Sequence, residues 1–209
     1  MSLITAMTKE LLQAGLFRDS FQWRLRSGDE VALTFDDGPH PVHTPRVLDT
    51  LARHGVKATY FLVGERAKRC PELVGRICAE HHGLASHTYT HRELPQLRRA
   101  ELEWELGATR KLLREMTGRD SNLVRPPRGR ISPMVLLRIR SLGYRLVHYS
   151  RTYSDYLQDG RDALLQRVLA RPPVARDIIL LHDNNPYTAE ALDQVLPRWL
   201  AAGLRFVAI

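Results

Sequence analysis

The chain has 209 residues, enough for one domain with a substantial core. With 44% hydrophobic and 26% charged residues its balance excludes general disorder, and no apolar run approaches the roughly 20 residues that span a bilayer. The formal net charge of +8 raises nucleic acid as a partner, but the excess is scattered arginine with no basic block and no interleaved aromatic stripe, so nucleic-acid binding is not expected.

Residues 3–17 place Leu3, Ile4, Met7, Leu11, Leu12 and Leu16 at near-helical spacing, which predicts an amphipathic helix that covers the domain or offers a peripheral membrane contact. This helix and its lead-in form a segment over residues 1–29, and a single domain is expected over 30–209. The amino terminus lacks a basic start, an apolar centre and a small-residue cleavage site, so the expected location is the cytoplasm. Cys70 and Cys78 flank a helical segment and lie about 12 Å apart along it, too far for a disulfide and consistent with a reducing compartment.

After a turn at Ser27-Gly28-Asp29, Val31 to Phe35 reads as a buried strand that stops at Asp36-Asp37-Gly38-Pro39. Thr44-Pro45 predicts a helix start, ending near His54-Gly55; residues 58–63 form a second strand, and Pro71 opens another helix. A short segment, residues 83–86, leads into His87-Thr88-Tyr89-Thr90-His91. A helix over 99–116 follows, then Asn122-Leu123-Val124 running into Arg125, a helix over 132–141, and a strand from Arg145. A helix over 162–170, a strand over 177–181 ending in His182-Asp183, a helix over 189–201 and a closing strand over 204–209 complete the chain. This alternation predicts a mainly parallel sheet with covering helices.

Successive apolar segments end in Asp36-Asp37, His87 and His91, Arg125, Asp155 and His182. In alternating β/α folds chemistry collects at the carboxyl ends of strands, so these groups should converge on one rim. On a helix, His87 and His91 would share a face, and two histidines with one carboxylate, Asp36 or Asp37, form a common hydrolytic zinc set. Adjacent carboxylates that both ionise repel, so one of the pair should shift its pKa or find a cation; a plain Asp-Gly turn is the alternative.

These residues resemble the polysaccharide deacetylases, carbohydrate esterase family four, which include nodulation-type chitooligosaccharide deacetylases. Thr34-Phe35-Asp36-Asp37-Gly38-Pro39 looks like the first family motif, Ser86-His87-Thr88-Tyr89-Thr90-His91 the second, Arg125-Pro126-Pro127-Arg128-Gly129 the third, and Leu180-Leu181-His182-Asp183 the fifth. The resemblance runs from about residue 30 to the end. It implies a distorted (β/α) barrel and one divalent cation, Zn2+ first, with Co2+ or Mn2+ as alternatives. Carried over residue by residue, Asp37, His87 and His91 bind the metal, Asp36 is the general base held ionised by Arg125, and His182 is the general acid. Leu180 lines the acetyl pocket, the Arg128 N–H faces the oxyanion, and Tyr156 joins the substrate-binding set. The implied activity is N-deacetylation of an amino sugar in an oligo- or polysaccharide.

Three positions depart from the family pattern. Thr152 stands where the fourth motif begins with an acid, which predicts a less readily protonated His182 unless Asp155 or Asp183 compensates. Arg128 stands where Tyr is usual and could favour an anionic substrate, and His81 replaces a turn Gly. Two rivals follow: a deformylase or deacetylase of a lipid-linked amino sugar, and a weakly active carbohydrate-binding relative.

Overall fold

Eight strands build one parallel sheet in the computed structural model, which describes Gly15 and residues 17–209. The strands are β1 (Phe21–Gln22), β2 (Ala32–Asp36), β3 (Thr59–Leu62), β4 (Gly83–Ser86), β5 (Leu123–Val124), β6 (Arg145–Val147), β7 (Arg151–Thr152) and β8 (Ile178–His182), in the order β1-β6-β5-β4-β3-β2-β8-β7. The covering helices are α1 (His43–Arg53), α2 (Gly64–Arg69), α3 (Pro71–Ala79), α4 (Arg99–Thr117), α5 (Pro133–Ser141), α6 (Arg161–Ala170) and α7 (Thr188–Ala201). The sheet curls, so that the chain after β1 returns to the chain before β8: Leu25 N–H donates to the Arg176 carbonyl at 2.9 Å, and Arg24 bridges Asp177. Asp177, fully buried, ties this seam by accepting from Ser150 Oγ at 2.7 Å and Arg151 Nε at 2.6 Å. The result is the expected distorted (β/α) barrel.

Alternation along the strands divides the core in two. Leu33, Phe35, Tyr60, Leu62, Ile179 and Leu181 pack outward under the helices, while Ala32, Phe61, Ala85, Leu123, Val147 and Ile178 fill the inside of the curl. The same period carries polar residues onto the inner face at the carboxyl ends. Asp36 follows Ala32 and Thr34, Arg125 follows Leu123, and His182 follows Ile178 and Leu180. Parallel register sets Asp36 beside His182 on neighbouring strands.

Several elements differ from the sequence reading. The expected helix over 3–17 lies outside the described residues except at Gly15 and Phe17. The end of the chain makes a single bridge, Phe206 to Val31, and no strand; its last N–H, of Ile209, donates to Thr59 Oγ1 at 2.8 Å. Thr44 does not cap α1; its hydroxyl accepts from the His40 N–H at 2.7 Å and donates to Asp183 at 2.5 Å. Helix α2 and the two-residue strands β1 and β7 carry too little periodic pattern to be read in advance. Cys70 and Cys78 are both free, and among the described residues no helix is long and apolar enough to cross a membrane.

Candidate active site and metal centre

Asp37, His87 and His91 come together at the ends of β2 and β4, each offering one ligand atom, all within 4.8 Å of one another. His91 Nε2 lies 2.9 Å and His87 Nε2 3.5 Å from Asp37 Oδ1. The two histidines meet in a loop, not on a helix: Thr88 and His91 adopt left-handed backbone conformations, φ 66° and 62°, which fold the segment back on itself. Glu105 of α4, fully buried, holds that loop by accepting from the Tyr89 N–H at 2.7 Å, the Thr90 N–H at 2.9 Å and the Thr90 hydroxyl.

The donor chemistry fits a divalent cation. His87 Nδ1 sits 2.8 Å from the Arg125 carbonyl, so it carries the proton and leaves Nε2 a lone pair aimed at the cluster, the usual outer support of a metal-binding histidine. Burial works against a charge on Asp37, but the hydrogen bond from His91 and the field of the surrounding imidazoles, His182 among them, outweigh it and hold the carboxyl well below the ordinary range. Burial keeps His87 neutral, the form in which imidazole ligates. Arg66 donates to the Asp37 carbonyl and Asn184 Nδ2 reaches Asp37 Oδ2 at 3.4 Å, fixing a residue whose own φ is 70°.

Asp36 is buried on the inner face and bonded to Arg125 Nη1 at 2.8 Å. Arg125 is only 1% exposed. Its guanidinium also donates to Thr34 Oγ1 at 2.7 Å and to the Val147 and His148 carbonyls at 3.1 Å each, and it lies 4.0 Å over the Phe61 ring. An unpaired buried charge is costly, and the guanidinium meets this cost by pairing with the Asp36 carboxyl and with three further oxygens.

His182 stands opposite with the reverse surroundings. Its Nδ1 is 2.9 Å from Asp155 Oδ1, and its backbone N–H donates to Asp155 Oδ2 at 2.7 Å. Burial disfavours the imidazolium, but the hydrogen bond and charge of Asp155, with Asp36 and Asp37 behind, raise its pKa to about 9. Of the two compensating acids the sequence offered for Thr152, Asp155 is therefore the one that meets His182. Thr152 lies on β7 and touches the Ser154 N–H, and the carboxylate comes from Asp155 three residues on, at a turn entered through left-handed Ser154. Asp155 is itself held by Thr188 Oγ1 at 3.2 Å and by Asn185 on its carbonyl. Asp183 does not serve this role: it is buried, bonded to Thr44, pushed up to about 7 by burial, and packed so tightly on Gly38 that a Cβ there would lie 2.3 Å from its Oδ2.

Around these groups Leu180 is buried on the inner face of β8, and the exposed ring of Tyr156 meets His182 edge-on at 6.2 Å. Arg128 takes a left-handed conformation, φ 56°, and its N–H has no protein acceptor among the described residues; its exposed side chain pairs with Glu93 at 3.0 Å. Sequence reasoning missed Glu105, Arg66 and Asn184. Only Glu105 carries a signal in the sequence, a carboxylate on the apolar face of a helix beside Leu102, Leu106 and Leu113.

An open parallel barrel whose strand ends gather a cation-type cluster, a buried Asp–Arg pair and a His–Asp pair is the plan of a hydrolytic barrel enzyme. The chain belongs to the polysaccharide deacetylase family, whose model matches residues 25–147. A peptidoglycan-N-acetylglucosamine deacetylase of Bacillus cereus is 34% identical over 184 residues, 86% of this chain and 66% of that protein. A chitooligosaccharide deacetylase of Sinorhizobium fredii is 42% identical over 159 residues, 75% of this chain and 73% of that protein. The crystal structure of a peptidoglycan N-acetylglucosamine deacetylase bound to a naphthyl-N-hydroxybenzamide aligns with a TM-score of 0.85 at 31% identity over 94% of both chains.

Proposed function

We propose that residues 30–209, with 1–29 as lead-in, form a catalytic domain that hydrolyses the N-acetyl group of an amino sugar in an oligo- or polysaccharide. Asp37, His87 and His91 would hold one divalent cation, Zn2+ first by donor type. When bound, such a cation supplies Lewis-acid polarisation and acidifies water. Asp36, paired with Arg125, accepts the proton of the attacking water as the water oxygen bonds to the acetamide carbon. The Arg128 N–H is free to meet the developing oxyanion. His182, protonated through Asp155, then gives its proton to the amine nitrogen as the C–N bond breaks, leaving acetate and a free amino sugar. Leu180 and Tyr156 line the approach to the acetyl group and the sugar.

The observation that carries this reading is the opposed pair of environments on neighbouring strands: Asp36 beside an arginine, His182 beside an aspartate. A carboxyl placed to take a proton and an imidazolium placed to give one are what amide hydrolysis near neutral pH requires. Asp155 also counts against the weakly active carbohydrate-binding alternative, which was motivated by Thr152. The exposed guanidinium groups of Arg128 and Arg130, both paired to Glu93, favour as a second reading a lipid-linked, phosphate-bearing amino sugar as substrate. Zinc-loaded protein should release acetate from N-acetylated chitooligosaccharides, lose that activity to a chelator and regain it with zinc. Asp37→Ala should abolish metal content, and Asp36→Ala should keep the metal and lose turnover. Faster release of formate from formylated amino sugars would select the second reading, and no release from either substrate would refute both.

A further inference from the structure

His148 follows β6 directly, and its imidazole belongs to none of the groups described above, yet the residue is only 7% exposed and sits beneath the Arg128 turn. Its Nε2 lies 3.4 Å from the Gly129 carbonyl, and a Cβ on Gly129 would approach that nitrogen to 3.1 Å, so ring and turn are in close contact. The ring stacks on Tyr149 at 4.4 Å, which fixes its plane. Its own carbonyl accepts from Arg125 Nη2 at 3.1 Å, the guanidinium that holds Asp36. Above it, Arg128 and Gly129 are consecutive left-handed residues, φ 56° and 64°. Two such residues in a row form a backbone conformation that a non-glycine residue adopts only when neighbours over-determine it.

We infer that His148 is a positioning residue whose Nε2–H donates to the Gly129 carbonyl and so holds the Arg128 N–H at the angle that meets the oxyanion. Rotation of the Pro127–Arg128 peptide would replace this donor with the Pro127 carbonyl; that carbonyl accepts the Arg130 N–H at 3.3 Å, and His148 holds the Gly129–Arg130 peptide that carries this N–H, which opposes the rotation. A neutral imidazole has one N–H, and burial with the nearby Arg125 charge keeps this ring neutral. The other ring nitrogen, 3.3 Å from the carbonyl of the adjacent Tyr149, is then the unprotonated one. The inference rests on the deacetylase reading for its catalytic consequence, and on the fold alone for the backbone geometry.

Two variants test it. His148→Phe keeps the stacking on Tyr149 and removes the donor, and His148→Gln keeps an N–H. Removing an oxyanion donor outright costs about 100- to 1,000-fold in kcat, so loosening one should cost His148→Phe about 10- to 100-fold, with KM and metal content unchanged and His148→Gln recovering much of the loss. In metal-free, isotope-labelled protein the Arg128 and Gly129 amide resonances should move in His148→Phe and return towards wild type in His148→Gln. A wild-type kcat in His148→Phe with unmoved amides overturns the inference, as does a loss of kcat that tracks lost metal or lost folded protein. If wild-type protein releases no acetate, the functional reading fails, and the amide resonances alone decide the role of His148.

Discussion

Replacing Asp155 by Asn tests the proton economy of the site most sharply. The side chain keeps its size and can still accept the His182 N–H through Oδ1, but it loses its charge and turns an N–H towards His182 Nδ1, where the carboxylate had accepted at 2.9 Å. The interval between about 9 and the ordinary 6.5 corresponds to on the order of 3 kcal/mol favouring the imidazolium, at 1.36 kcal/mol per pH unit. Asp36 and Asp37 supply part of the gain and burial takes some of it back, so that figure is the net balance and not the share of Asp155 alone. A histidine titrating near 9 is about 90% protonated at pH 8; one returned to 6.5 is about 3% protonated there, a loss of roughly 30-fold. At pH 6 the same change leaves most of the acid form intact and costs less than about twofold. The sign follows from the direction: a raised pKa supplies the acid at and below neutrality and loses it as pH climbs through 9. Profiles of kcat/KM against pH for wild type and Asp155→Asn should therefore share an acidic limb and separate on the basic limb, displaced downward by about two pH units or more in the variant. A basic limb that stays in place while activity drops equally at every pH would refute the assignment of His182 as the acid tuned by Asp155.

Two further substitutions probe the supports. Glu105→Ala strands the Tyr89 and Thr90 N–H groups and should cost about 3 kcal/mol, seen as a fall of about 6–12 °C in melting temperature, and should weaken cation affinity about 10- to 100-fold by isothermal titration. Thr152→Asp should bring no gain in kcat, because Asp155 already occupies His182 Nδ1; a clear gain would show that the acid is under-supported as it stands.

The strand ends were legible because a buried strand is read by its apolar run, and an acid, histidine or arginine terminating that run stands out. Ile178 to Leu181 giving way to His182, and Leu123-Val124 to Arg125, are of this kind. Alternation then fixes which of them face inward together. What escaped was built from turns. The spacing of His87 and His91 matched a helix, but left-handed Thr88 and His91 bring them together in a loop, a conformation with no mark in residue type. Asp155 and Asp183 stood as alternatives in place of Thr152, and the choice between them escaped the sequence because the carboxylate that reaches His182 is decided by the turn at Ser154. Arg66 and Asn184 act through contacts with Asp37 across the fold, which no local pattern records.

Asp36 and His182 are partners across a ladder of backbone hydrogen bonds, with Leu180 opposite Thr34 one step below. Two parallel strands keep a separation of about 4.8 Å that nothing at the rim can stretch. The segments carrying Arg128, Tyr156 and Glu93 are free to lengthen, shorten or change charge without disturbing the interval between the proposed base and the proposed acid. Such a scaffold lets descendants change diet while keeping the same teeth.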